Sequence, residues 1–420
     1  MRYTFGHITD REGNSRMSWL LMLLLLVYLT ACSSADDEEL AEPNPEAEAA
    51  ANNNGPRKAP TKLYIYVYAP EAPEVTRGAY DGEVLATGNE ASVYKMQIWV
   101  FTHNSHNLLG YYESTGASSL SALEPYELLQ LTIDETYAET AEANREHVDV
   151  YVLANVSAQN CNLTLDHTAT QAQLDAALLK KTTADPFGVT SPVREVPENL
   201  GLPMSGILRD KPVTGTTPVL RLDDGGEIAT VMLRRVVSKL RFAFSRQTGS
   251  EPLQINSIRL GTEMIPKSEY LFMTEAEPYD RHTCHINTAD GYDTATPNLL
   301  DEVISDVATN DDPVVYAWGY EELEPQLYER KIDNAVTAGD LTQRTFFLRE
   351  SNKLLQGTIK YQIGNGEEQT ATFRMVDEGG FSRNHIWTVY AYQAQAHVQV
   401  VVAEVAPWRL TEENNDFYNW

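Results

Sequence analysis

From about residue 62 the chain is a succession of short runs in which apolar side chains recur at every second position, each closed by a loop rich in Gly, Pro, Asn or Asp. A period of two puts alternate side chains on opposite faces of a strand, and many such runs with little helix between them fold as β-sandwiches. "KMQIWVF" sets Met96, Ile98 and Val100 against Gln97, Trp99 and Phe101, and "LLGYY" returns after a polar loop, which reads as a hairpin. "HVDVYVLANV" carries Val148, Val150 and Val152 on one face. "EIATVMLRRVVSKLRFAF", "LQINSIRL", "PVVYAWGY", "RTFFLRE", "LQGTIKYQIG", "TATFRMV", "IWTVYAYQ" and "HVQVVVAEVAPW" continue the pattern. "LEPYELLQL" fits strand or helix. "TATQAQLDAALLKK" predicts a helix, with a Thr170–Gln173 capping box, a stripe of Leu174, Ala177 and Leu178, and Lys180 and Lys181 at its C-terminal end. Asp223, Asp224, Gly225 and Gly226 read as a turn, and a domain boundary is expected near residues 223–230. The expected fold is mainly β: two antiparallel β-sandwich domains with few short helices.

The earliest run, "LYIYVY", is apolar on both faces: Leu63, Ile65 and Val67 oppose Tyr64, Tyr66 and Tyr68. Strands of that kind belong to cores. This one leads into a loop with Pro70 and Pro73 that holds one arginine, Arg77, before Gly78. Prolines keep a segment out of regular structure and open to proteases. A core strand tethered through a cleavable basic residue is a strand suited to removal; otherwise Arg77 is a plain surface arginine.

Further upstream, residues 19–30, "WLLMLLLLVYLT", are too short for a comfortable membrane span and suit the core of a signal peptide. Arg2, Arg11 and Arg16 precede it, and translation from Met1 or Met17 is compatible with it. The run ends in Leu29, Thr30, Ala31 and Cys32, which resembles the bacterial lipobox and implies cleavage before Cys32 and acylation of its thiol. "SSADDEEL" and an Ala, Glu, Pro and Asn stretch follow. They form an acidic disordered tether, residues 32–60, similar to the surface-export signal of Bacteroidota lipoproteins. The whole chain carries 32 basic and 60 acidic residues, a net charge of −28, which excludes nucleic acid as a partner. Cys161 and Cys284 either pair in an oxidising compartment or stay as thiols.

Catalytic signatures are missing. G-x-S-x-G, the P-loop and H-E-x-x-H do not occur, and no enzyme activity or cofactor is expected. His282, Cys284 and His285 are the best metal-like cluster, yet no fourth ligand follows at regular spacing, so no metal site is expected.

Taken in order, these segments resemble the type V fimbrilins of the Bacteroidales, which include the major and minor fimbrilins of Porphyromonas. The lipobox and tether match the precursor start, and "LYIYVYAPEAPEVTRGAY" matches the first strand and its arginine-ending loop. "VYKMQIWVFTHNSHNLLGYY", "VDVYVLANVSAQ", "LPMSG", "LRRVVSKLRFAF", "FSRNHIWTVYAYQ", "VQVVVAEVAPWRL" and the terminal "FYNW" follow in family order. The resemblance implies two transthyretin-like sandwiches, residues 78–228 and 229–395, and an outer-membrane lipoprotein anchored through Cys32. It further implies that an Arg-specific protease cuts between Arg77 and Gly78, freeing residues 61–77 with the strand of Leu63, Ile65 and Val67. A neighbouring subunit's C-terminal segment, residues 396–420, then fills the groove and builds an adhesive homopolymer. The donor is either the strand with Val398, Val400 and Val402, or the tail after Trp408 that ends in Phe417, Tyr418 and Trp420. Tip and anchor fimbrilins, host proteins and other bacteria are the further partners implied, and a shaft role is favoured. The competing expectation is a monomeric surface lipoprotein that binds glycans.

Overall fold

Alternating apolar residues sort most of the chain into two sandwiches. The computed structural model describes residues 60–68, 90, 92–114, 126–157, 160–180, 187–196, 200–273, 284–305, 307–311, 339–374, 381–394 and 397–407. The signal segment, Cys32, Arg77, Gly78, His282, "PVVYAWGY", Trp408, Phe417, Tyr418 and Trp420 lie outside these residues.

In the first sandwich one sheet runs β10 (Glu227–Ile228), β9 (Val219–Asp224), β1 (Lys62–Tyr68), β11 (Thr230–Met232). β4 (Tyr126–Thr132) lies on the other side of β1, and β8 (Val213–Thr216) pairs with β9. The facing sheet runs β12 (Arg234–Arg235), β7 (Met204–Lys211), β5 (Val148–Ala154), β2 (Met96–Thr102), β3 (Leu108–Glu113). Leu63, Ile65, Val67, Leu129, Leu131, Leu220 and Val231 from the first sheet meet Met96, Ile98, Val100, Val148, Val150 and Val152 from the second. Every residue of β2 and β5 is buried, so the opposite faces of these strands feed another core. There Trp99, Phe101, Tyr151 and Leu153 pack with Leu174, Val237, Phe272, Phe347 and Ile386, which binds the first sandwich to the second.

The second sandwich faces the sheet β16 (Thr342–Arg349), β13 (Val237–Arg246), β19 (His385–Ala394), β20 (His397–Pro407) against β14 (Leu253–Leu260), β17 (Gln356–Ile363), β18 (Gln369–Arg374). Phe242, Phe244, Phe346, Trp387 and Val389 form its core with Ile255, Ile258, Ile359 and Phe373. Among the described residues helix is confined to α1 (Glu135–Glu139), α2 (Gln171–Asp175) and single 3₁₀ turns. The fold is therefore mainly β, with few short helices, as the sequence predicts.

Several local expectations need correction. One sheet of each sandwich is mixed rather than antiparallel: β1 runs parallel to β9 and β11, and β13 runs parallel to β19. Strands distant in sequence make these pairs, so period-two patterning cannot report their direction. The predicted helix begins as expected, with the Thr170–Gln173 capping box formed, but stops at Asp175. Leu178 and Leu179 are instead a short strand, β6 (Leu178–Leu179), paired with β15 (Glu269–Tyr270), whose ladder takes the backbone groups a longer helix would use. "EIATVMLRRVVSKLRFAF" divides among β10, β11, β12 and β13, and "YELLQLT" is strand. Asp223 to Gly226 close the β9–β10 hairpin, with Gly225 and Gly226 at φ 70° and 103°, a region glycine enters without steric cost. Cys161 and Cys284 are free thiols.

Candidate functional site

β1 fills a slot inside its sheet. It pairs antiparallel with β4 along its whole length, from Lys62↔Thr132 to Tyr68↔Tyr126. On its other edge Lys62–Tyr64 pairs with Val219–Arg221 of β9, and Tyr66–Tyr68 pairs with Thr230–Met232 of β11. Leu63, Ile65 and Val67 are completely buried in the inter-sheet core, while Tyr64 and Tyr66 on the other face are half-buried. The sequence expectation of a strand apolar on both faces thus resolves into one core face and one amphipathic tyrosine face. Full burial of such aliphatic side chains contributes about 1.5–3 kcal/mol each, and the ladders on both edges satisfy the backbone.

The head of the slot is polar. Thr61 is fully buried and continues the inward row one step before Leu63. Its amide donates to Glu135 Oε1 at 2.7 Å, and its hydroxyl donates to Glu135 Oε2 at 3.2 Å. Its carbonyl accepts from the Ile133 amide at 3.2 Å. Glu135 opens α1 directly after β4, a helix start fixed by the Asp134 side chain, which accepts from the Tyr137 amide. At the tail, the Leu233 amide donates to the Tyr68 carbonyl at 2.9 Å.

Beyond residues 69–89 the chain is pinned at Glu90. Lys239 Nζ donates to its carboxylate at 2.9 Å and Arg235 Nε donates to its carbonyl at 2.9 Å, all three residues being buried. Burial holds the Arg235 guanidinium below its ordinary pKa, an effect the Glu90 charge opposes. Sequence reading missed Thr61, Glu135, Glu90 and Lys239. Only the extension of the inward row from Leu63 back to Thr61 was visible as a signal.

The candidate donor lies in the second sandwich. "HVQVVVAEVAP" is β20, an edge strand laddered on β19 from Ala394↔His397 to His385↔Pro407. Val398 and Val400 are half-buried against the second core, and Val402 stands opposite Val389 in the ladder. The structure thus brings Leu63, Ile65 and Val67 together in one slot, and places Val398, Val400 and Val402 on a strand with, among the described residues, a single laddered neighbour.

Of the metal-like cluster, Cys284 and His285 lie among the described residues. Cys284 Sγ donates to the Ser351 carbonyl at 3.2 Å, and the His285 amide donates to Glu350 Oε1 at 2.7 Å. Among the described residues no group of His, Cys, Asp or Glu is placed to hold a metal ion.

No family model matches this chain, and no curated protein matches it. The chain is similar in structure to fimbrial and adhesion proteins of the Bacteroidales. A candidate cell adhesion protein from Parabacteroides distasonis ATCC 8503 is 15% identical, with 84% of this chain and 99% of that chain covered and a TM-score of 0.47. The tip fimbrial protein Mfa3 from Porphyromonas gingivalis, with a C-terminal truncation, is 12% identical over 82% of this chain and 100% of its own, at 0.44. A fimbrial assembly protein from Parabacteroides distasonis ATCC 8503 is 11% identical over 82% and 96%, at 0.41.

Proposed function

We propose that the chain is a structural pilin of a surface fimbrium, in the shaft rather than at the tip or anchor. On this reading it is exported as a lipoprotein through Cys32, cut between Arg77 and Gly78, and polymerised by strand exchange. The observation that carries the proposal is the position of β1. It lies between β4 on one edge and β9 and β11 on the other, and its covalent link to all of them runs through residues 69–89. A cut in that stretch converts β1 from part of the fold into a bound ligand. Its departure exposes the pockets of Leu63, Ile65 and Val67 and two open backbone edges, and a strand from a neighbour satisfies both. Glu90, buried against Lys239, keeps the new N-terminal arm attached to the body after the cut. The ladders hold the cut strand in place, so exchange is slow and needs a donor that fits at least as well.

Arg77→Ala tests this directly. It should yield a folded, lipidated precursor that forms no SDS-resistant ladder after treatment with an Arg-specific protease, whereas the wild-type chain does, with fibres beginning at Gly78. In the same assay, loss of polymer on deletion of residues 409–420 assigns the donor to the tail, and loss only on deletion of 397–420 assigns it to β20. Normal polymers from Arg77→Ala would sink the proposal.

A further inference from the structure

The inward row of β1 has a weakness as an address. Leu63, Ile65 and Val67 recur with a period of two, so a slip by one residue turns the apolar set outward and is rejected, but a slip by two keeps every apolar side chain facing the core. Something other than hydrophobic pattern has to exclude the second error. The slot contains one polar element on its inward side, at its head. β4 ends its ladder with β1 at Thr132, and the chain turns into α1 so that Glu135 faces the residue before the first paired position. There the carboxylate takes the amide and the hydroxyl of Thr61 together, with Thr61 fully buried, and the Ile133 amide takes its carbonyl. A two-residue slip would put Leu63 in this place. The hydroxyl donor to Glu135 Oε2 would be lost, and an isobutyl group would take the buried place of Thr61 beside the carboxylate, which costs a hydrogen bond to a charged acceptor.

We infer that Glu135 is the register pin of the slot. It selects, in whatever strand occupies the slot, a threonine or another small hydrogen-bond donor two positions before the first core residue. This rests on the strand-exchange reading and adds a specificity rule to it: apolar alternation admits a strand, and the head residue fixes where it stops. The same bonds make the head the last part of β1 to leave, so displacement starts from the Tyr68 end. Asp134 does not share the role, because its side chain is engaged by the Tyr137 amide.

The test has two arms. In the full, uncut chain, hydrogen exchange at the amides of Lys62 to Ile65 is compared in wild type, Thr61→Val, Glu135→Ala and the double variant. Each single change should cost about tenfold in protection, the double no more than either alone, and Glu135→Gln should recover part of the loss. Losses that multiply in the double variant overturn the pin. In the second arm, a chain cut in the 69–89 stretch is offered a peptide of residues 60–68 carrying Tyr64→Cys. A cysteine at Gln130 traps the correct register, and one at Thr132 traps the two-residue slip. With Glu135 present the trap should form at Gln130→Cys, and with Glu135→Ala a substantial share should move to Thr132→Cys. An unchanged distribution overturns the pin alone. No trap at either position in any variant overturns the strand-exchange reading, and the pin with it.

Discussion

Around β1, the first sandwich holds a strand with aliphatic side chains, backbone ladders and one polar contact at the head. Around Arg383, the second sandwich holds its strands with buried charge. Arg383 donates from Nε and Nη2 to Glu350 Oε1 at 2.9 and 2.6 Å, from Nη2 also to the Tyr270 carbonyl and from Nη1 to the Leu271 carbonyl. The Glu350 amide donates to Glu269 Oε2 at 2.9 Å, and Arg349 Nε donates to the Pro266 carbonyl at 2.7 Å, with all of these residues buried. Interactions of the first kind are transferable, because any strand with the right alternation can supply them. Those of the second kind are specific to their partners, since a buried charge without its partner is strongly destabilising. The difference teaches which kind of hold another strand could take over and which it could not.

The largest expected effect breaks the second region. Glu350→Gln takes from buried Arg383 the carboxylate it meets at 2.6 Å and should cost about 3–5 kcal/mol in denaturant unfolding. Glu269, a few ångströms away, should behave differently. Burial, the first cause, and the Glu350 charge raise the pKa of its carboxyl well above the ordinary range, against the pull of Arg383. Glu269→Gln keeps an acceptor for the Glu350 amide and removes a charge that burial disfavours, and should cost under about 1 kcal/mol. It should also remove a pH slope. A carboxyl that is protonated when folded and ionised when unfolded loses stability as pH rises above 4.5, so the wild type alone should weaken over that interval. Equal losses from the two variants would show that the network does not divide its charge this way.

Within the first region, Ile65→Ala removes the middle core contact of β1. Full burial predicts a cost of about 2–5 kcal/mol in the uncut chain. The sharper readout is kinetic: after cleavage between 69 and 89, the variant strand should leave the slot faster than wild type by at least tenfold, while the unfolding of the body left behind is unchanged. A body that unfolds together with the strand would make β1 a permanent core element and erase the contrast between the two sandwiches.

How much of this was legible in the sequence depends on the range of the interaction. Leu63, Ile65 and Val67 announce a core strand by spacing alone, and the Thr170–Gln173 cap is written within four residues. The fate of Leu178 and Leu179 was not legible, because the ladder that claims them comes from Glu269 and Tyr270. The parallel pairing of β1 with β9 and β11 joins segments about 160 residues apart, and alternation is the same for either direction. Glu135 reads locally as nothing more than the first residue of a short helix after an N-cap. Its role follows only once β4 sets it opposite Thr61. The Arg383–Glu350–Glu269 group was invisible for the same reason, since no spacing rule connects positions contributed by three separate segments.

The smallest expected effect concerns a hold intermediate between the two regions. At one end of β2 the His103 ring bonds Asp149 through Nδ1 at 2.8 Å, with Asp210 3.9 Å from Nε2. Asp149 is buried and also accepts from Gln171 and Arg209. The hydrogen bond to Asp149 raises the His103 pKa above 6.5, burial and the Arg209 charge opposing it. The added stability is therefore fully present below pH 6.5, where the folded and unfolded rings are both charged, and it fades as pH rises through the raised value. His103→Gln keeps an N–H donor for Asp149 without the titration. Its stability deficit should be greatest in acid, under about 1 kcal/mol because the ring is partly solvated, and should shrink toward pH 8. A deficit independent of pH would place the contribution in packing rather than charge, and would align this end of the first sandwich with the apolar hold on β1.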